Sequence, residues 1–233
     1  MEFFVSEAIN REPINQEPIN QSALKALMTA SKIIPVIQID DPADAVPLAT
    51  ALKAGGLTTL EITLRTEHGL PAIKAISEQV SGVVVGAGTV ISPLDYQRAV
   101  MAGSEFIVSP GVTDELLEEA KHHSAEYLPG VAIPADMMRV ISAGFSVFKF
   151  FPAEASGGVP MLKALLGPFP SAVFCPTGGI SPNNLSDYLA LPNVLCVGGS
   201  WMVSKQLIAD KNWQQITQLS QQAVSLFDSR RTA

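Results

Sequence analysis

Residues 32–65 read KIIPVIQIDDPADAVPLATALKAGGLTTLEITLR, and they hold the unit that repeats through the rest of the chain. A β-branched run at 33–39 leads into Asp41-Pro42, then an alanine- and leucine-rich helical stretch at 43–54. The pair Gly55-Gly56 and a second β-branched run at 58–65 follow. Proline at the first helical position gives up no needed N–H, an Asp before it can accept from an orphan amide, and a glycine ends the helix. The unit predicts strand, helix, strand, which joins two parallel strands by a right-handed crossover.

The unit recurs about every 20–25 residues. It predicts strands at 33–39, 58–65, 83–90, 105–111, 126–132, 146–152, 172–179 and 194–203. Helices are predicted at 43–54, 70–80, 94–102, 114–123, 135–143, 159–166, 183–190 and 213–228. Ser92-Pro93, Thr113-Asp114 and Ser181-Pro182 repeat the start signal, and Gly103 and Gly144 the stop. Eight strands each followed by a helix is the count that closes a (β/α)8 TIM barrel. An open doubly wound sheet is the alternative, although no G-x-G-x-x-G opens the first unit. EPINQ stands at 12–16 and again at 17–21, ahead of a short helix at 22–31, and two copies are too few for a solenoid. The expected organisation is an N-terminal arm with its helix over 1–31 and a barrel over 32–233.

The 233 residues suit one barrel-sized domain, and 47% hydrophobic with 16% charged residues excludes disorder and allows a large core. A net charge of −7 argues against nucleic acid or an anionic membrane as partner, while leaving room for a locally positive pocket. The mean hydropathy of +0.27 does not imply a membrane span, because the charge-free stretches 164–186 and 188–204 carry Pro, Asn and Gly pairs. Cys175 and Cys196 sit in apolar runs and are expected as buried free thiols of a cytoplasmic protein, and residues 1–11 do not resemble a signal peptide.

Polar residues that interrupt apolar strands carry the functional signal. In TTLEITLR, alternation puts Glu61, Thr63 and Arg65 on one face and Leu60, Ile62 and Leu64 on the other. The apolar face suits helix packing, so the polar face points into the barrel near its C-terminal mouth, either as a structural ion pair or as a working pair. In SVFKFFP the same parity turns Lys149 inward with Val147 and Phe151, and Phe148 and Phe150 outward. Lost hydration favours the uncharged amine, which makes Lys149 a candidate Schiff-base nucleophile. A salt bridge to Glu61 or an exposed ammonium are the alternatives. Thr177-Gly178-Gly179 and Gly198-Gly199-Ser200 follow strands seven and eight, where such barrels bind phosphate, though each glycine pair can also be a mere turn. The glycines of VVVGAGTV leave space near the mouth and Thr89 adds a hydroxyl. His68, His122 and His123 lack zinc spacing, so no metal is expected and all three histidines are read as solvated.

IPVIQI, GG-x-x-x-LEITLRT, VGAGTV, FIVSPG, LPGV, FKFFPAE, GPFP, FCPTGGISPNN and CVGGSWMV, spread over residues 32–203, resemble the 2-keto-3-deoxy-6-phosphogluconate (KDPG) aldolase / 4-hydroxy-2-oxoglutarate (KHG) aldolase family. The resemblance implies a class I aldolase, a lyase that cleaves KDPG to pyruvate and glyceraldehyde 3-phosphate, with 4-hydroxy-2-oxoglutarate as a second substrate. It implies Lys149 as the Schiff-base lysine, Glu61 as the general acid/base and Arg65 as the carboxylate ligand. Thr89, Pro110 and Phe151 would hold the pyruvyl end, and Thr177, Gly178, Gly179, Gly198, Gly199 and Ser200 the phosphate. Some members carry an arginine where this chain has Gln38. No cofactor and a homotrimer are also implied. An epimeric, galactonate-derived substrate and a sugar-phosphate-binding barrel without catalysis are the competing readings.

Overall fold

The computed structural model describes residues 19–231, so the first EPINQ copy and the start of the second lie outside the described residues. In chain order the elements are α1 (Ser22–Ser31), β1 (Ile33–Ile37), α2 (Ala45–Ala54), β2 (Thr59–Thr63), α3 (Gly69–Gln79), β3 (Val84–Gly88) and α4 (Pro93–Met101). There follow β4 (Phe106–Val108), α5 (Asp114–Ala120), β5 (Glu126–Leu128), β6 (Gly130–Val131), α6 (Pro134–Ser142), β7 (Val147–Phe150) and α7 (Gly158–Leu165). The chain closes with β8 (Val173–Pro176), α8 (Leu185–Leu189), β9 (Val197–Gly199), α9 (Lys205–Ala209) and α10 (Trp213–Arg231). Each strand and helix predicted from the repeating unit has a counterpart, and α9 is additional.

All ladders are parallel. They form a six-stranded sheet in the order β5-β4-β3-β2-β1-β9 and a three-stranded sheet β6-β7-β8. The continuous (β/α)8 ladder expected from the strand count is therefore replaced by two parallel sheets. Two local features account for this. Pro129 has no N–H to donate and divides the expected 126–132 strand into β5 and β6, although its carbonyl still accepts from Lys149 N at 2.9 Å. The other join consists of isolated bridges, Phe174 to Val194 and Thr177 to Gly198.

The start signals Asp41, Ser92 and Thr113 each accept a backbone N–H at the head of their helical segments, at 2.9, 3.1 and 3.3 Å. Ser181-Pro182 does not start α8, because Asn184 Oδ1 accepts from Ser181 N and the helix begins after that turn. Gly103 and Gly144 stop their helices with φ of +99° and +94°. Gly55 also ends its helix, as the C-cap of α2, and has a second use. Its φ is −83°, and a Cβ there would lie 2.3 Å from the Ser220 Cβ, so its smallness lets α10 close onto α2.

Strand alternation divides the interior in two. Leu60, Ile62, Ala87, Phe148 and Phe150 belong to the large cluster shared with the helices. Ile34, Phe106, Val108, Leu128, Val147, Cys175 and Cys196 form a second cluster on the opposite strand faces. Leu24 and Met28 of α1, both fully buried, complete that second cluster. Gln21 Oε1 accepts from Val147 N, and Ser31 Oγ bonds Thr59 Oγ1, so α1 lies across the N-terminal ends of β7 and β2. The helix grouped with the arm is thus packed into the strand interior. Met28→Ala is expected to cost about 2–4 kcal/mol by leaving a cavity. Urea unfolding followed by circular dichroism checks this, and an unchanged midpoint would put α1 outside the cooperative core.

Candidate active site

Glu61 lies at the centre of β2 and Lys149 near the end of β7, and both turn away from the helices. They are 3% and 5% exposed. The Lys149 ammonium donates to Glu61 Oε1 at 2.9 Å and Oε2 at 3.3 Å. Two charges this deep are tolerable only together, since each alone would forfeit its hydration without return. The ion pair resolves what the sequence left open: Lys149 is joined to Glu61 instead of standing as an isolated amine or reaching solvent. The contact also lets a proton pass between the groups in one step, leaving an amine able to attack a carbonyl. Lys149 Nζ lies 5.3 Å from the centroid of the Phe151 ring, close enough for cation–π attraction.

Glycine makes room for this pair. A Cβ on Gly88 would stand 2.2 Å from Glu61 Oε1, and one on Gly86 would meet the Phe106 ring at 2.5 Å. The space read at VVVGAGTV is therefore occupied by neighbouring side chains. Thr89, the next residue, adopts φ of +60°, costly for a β-branched side chain. Its hydroxyl accepts from Arg65 Nε at 3.3 Å. Arg65 lies just past the end of β2 and is exposed, so its partner is Thr89 and the structural Glu61–Arg65 ion pair is not formed.

A cavity of about 250 Å³ opens beside Arg65 and Phe151, and Thr177, Gly178, Gly179, Gly198, Gly199 and Ser200 line it. The sequence-predicted anion residues thus share one wall. Gly178 and Gly179 have φ of +103° and +80°, and a Cβ on Gly179 would strike the Glu154 side chain at 2.5 Å. Gly198 allows the Thr177 side chain to approach, since a Cβ there would lie 2.2 Å from Thr177 Oγ1. That buried hydroxyl has no hydrogen-bond partner among the described residues. Glu154 is held by a short hydrogen bond from the Tyr188 hydroxyl, whose pKa is driven upward by burial and by that carboxylate.

Pro110 does not line this cavity but packs against the strand that pairs with Lys149. Gly130, the β6 residue in register with Lys149, packs so tightly on it that a Cβ would lie 2.4 Å from the Pro110 carbonyl carbon. Ser109 Oγ fixes the preceding residue by donating to Gly111 O at 2.6 Å and pairing with the Tyr127 hydroxyl at 2.7 Å. Burial pushes that tyrosine up to about 12. Val36 and Ile180 also line the cavity and were not singled out in the sequence, because apolar residues in apolar strands carry no distinguishing mark. His123 departs from the solvated reading: it is partly buried, stacks on Tyr96 and contacts Glu119 Oε1 at 2.6 Å. Among the described residues no group of three His, Cys, Asp or Glu side chains could hold a metal ion.

Fold and site together define a parallel α/β protein with a buried lysine–carboxylate pair beside a glycine-lined cavity. The family description "KDPG and KHG aldolase" matches residues 24–219. The chain is 50% identical over 208 residues to the 2-dehydro-3-deoxy-phosphogluconate aldolase of Pseudomonas aeruginosa, covering 89% of this chain and 94% of that protein. It is 44% identical over 203 residues to the KHG/KDPG aldolase of Escherichia coli, covering 87% and 95%. A crystal structure of the KDPG aldolase of Legionella pneumophila, with pyruvate captured at low pH as a covalent carbinolamine intermediate, superimposes with a TM-score of 0.84 at 47% identity. That match covers 85% of this chain and 97% of the other. The chain belongs to the KDPG and KHG aldolase family.

Gly88→Ala must displace the Glu61 carboxylate from Lys149. A misplacement of this size is expected to lower turnover about 100-fold. Steady-state kinetics alongside circular dichroism would check that the loss occurs in folded protein.

Proposed function

We propose that this chain is a class I aldolase that cleaves 2-keto-3-deoxy-6-phosphogluconate to pyruvate and glyceraldehyde 3-phosphate. We include 4-hydroxy-2-oxoglutarate, cleaved to pyruvate and glyoxylate, as a second substrate. The observation that carries the reading is the buried contact between Lys149 Nζ and Glu61.

In this mechanism Lys149 hands its proton to Glu61 and attacks the C2 ketone, forming a carbinolamine. Glu61 returns the proton to the departing hydroxyl, and loss of water leaves a protonated imine. The imine draws in the electron pair of the C3–C4 bond as Glu61 takes the proton of the C4 hydroxyl, releasing the aldehyde and leaving an enamine. Glu61 returns that proton to C3, and water then hydrolyses the imine, freeing pyruvate and restoring the Lys149 ammonium. Arg65 binds the substrate carboxylate, Thr89, Pro110 and Phe151 border the pyruvyl end, and the glycine-lined wall with Ser200 receives the phosphate. The lysine supplies the electron sink, so the chemistry calls for no metal or organic cofactor.

Several broader features belong to the same proposal. The two sheets act as one closed (β/α)8 barrel over 32–233, a reading supported by the Thr177–Gly198 bridge and the short passage through Pro129. The chain works in the cytoplasm, which suits the burial of Cys175 and Cys196. It assembles as a homotrimer, a reading supported by exposed Ile91, Leu94, Met101, Ile133 and Met138. Light scattering is expected to give three times the chain mass, and a monomeric mass would contradict the assembly.

Borohydride added with pyruvate is expected to leave a stable mass increase on the Lys149 peptide. A pyruvate-binding protein that shows no adduct there would overturn the mechanism. Glu61→Gln is expected to lower kcat by about 10²–10⁴ in steady-state assays, the usual share of a general acid/base.

A further inference from the structure

A second cavity of about 280 Å³ shares Val36, Arg65 and Ser200 with the first, so the two adjoin. Gln38, Ser204 and Lys205 also line it. Ser204 Oγ accepts from Leu207 N at 3.3 Å, which fixes the start of α9 and brings Lys205 to this cavity. Beyond Lys205 the surface turns acidic, with Asp40, Asp41 and Asp44 around a third hollow. Lys205 therefore lines both the acidic hollow and the cavity that adjoins the glycine-lined one.

The resting partner of Lys205 is weak. Its Nζ lies 3.8 Å from Asp40 Oδ2, beyond hydrogen-bond distance, and the two side chains are 72% and 58% exposed. Such pairs contribute little and are readily exchanged. Asp40 is held elsewhere, since its other oxygen accepts from Gln38 Nε2 at 2.7 Å. Neighbouring Lys211, by contrast, is bound to the buried Asp44 at 3.0 Å.

We propose that Lys205 is a specificity-determining residue: its ammonium leaves Asp40 and pairs with the terminal phosphate of a substrate seated along the glycine-lined wall. This rests on the aldolase reading above and refines its phosphate end. A phosphate dianion draws an ammonium more strongly than one solvated carboxylate does, and a flexible four-carbon stem permits the exchange. Lys205 thereby favours phosphorylated keto acids over the same carbon chain ending in a hydroxyl.

The test compares kcat/KM for 2-keto-3-deoxy-6-phosphogluconate with that for unphosphorylated 2-keto-3-deoxygluconate. In Lys205→Ala the preference for the phosphorylated acid is expected to fall about five- to tenfold, the scale of one partly exposed charge-assisted contact. The loss should appear in KM, and Lys205→Arg should restore most of it. Asp40→Asn, which frees the ammonium, is expected to raise the preference. An unaltered preference in Lys205→Ala, or an equal loss on both substrates, would overturn the proposal. Wild-type protein that releases no pyruvate from the phosphorylated acid would instead overturn the aldolase reading itself.

Discussion

Two opposite charges share a position that neither could hold alone. Glu61 and Lys149 are almost fully buried, 88 residues apart in sequence, and joined at 2.9 Å. Removing one partner from such a pair costs about 3–5 kcal/mol, because the other is stranded without water. The surroundings follow from that constraint. β2 and β7 carry the charges inward on strands whose other faces are apolar, and Gly88 gives up a side chain so that the carboxylate can come close to β3. Phe151 sets an aromatic ring beside the ammonium.

A second constraint operates at the strand ends, where the backbone bends sharply around the cavity. Gly178 and Gly179 take left-handed conformations, and Gly198 lets Thr177 approach with its hydroxyl unengaged by other described residues. Charge is spread around this region unevenly. Arg65 is linked to Thr89, Lys211 to Asp44, and Lys205 only loosely to Asp40. A loosely held cation at the edge of an otherwise acidic protein is the group best able to answer a ligand's charge.

Much of the scaffold was legible because its signals are local. Proline and capping residues marked α4 and α5, Gly103 and Gly144 marked helix ends, and period-two alternation in TTLEITLR assigned Glu61 to the face opposite Leu60 and Ile62. Other features depended on partners distant in sequence. Gly55 ends α2 as its local pattern indicates, but its smallness also makes room for Ser220. Pro129 interrupts a strand that reads as continuous, and α1 reads as an appendage although Leu24 and Met28 fill the strand interior. The sequence leaves the Lys149–Glu61 contact as one alternative among several, because parity fixes a face without fixing a neighbour. Lys205 carried no sequence signal, being one exposed lysine on a five-residue helix.

The central claim is that the Lys149 nitrogen itself, and not merely its positive charge, reacts with the keto acid. Lys149→Arg retains the charge opposite Glu61 but cannot form an imine, so it separates the two. Nuclear magnetic resonance of pyruvate in heavy water measures the outcome directly as exchange of the methyl protons, which requires the enamine. Wild-type protein is predicted to exchange them and Lys149→Arg to leave them intact. Exchange that persists in the arginine variant would contradict the account.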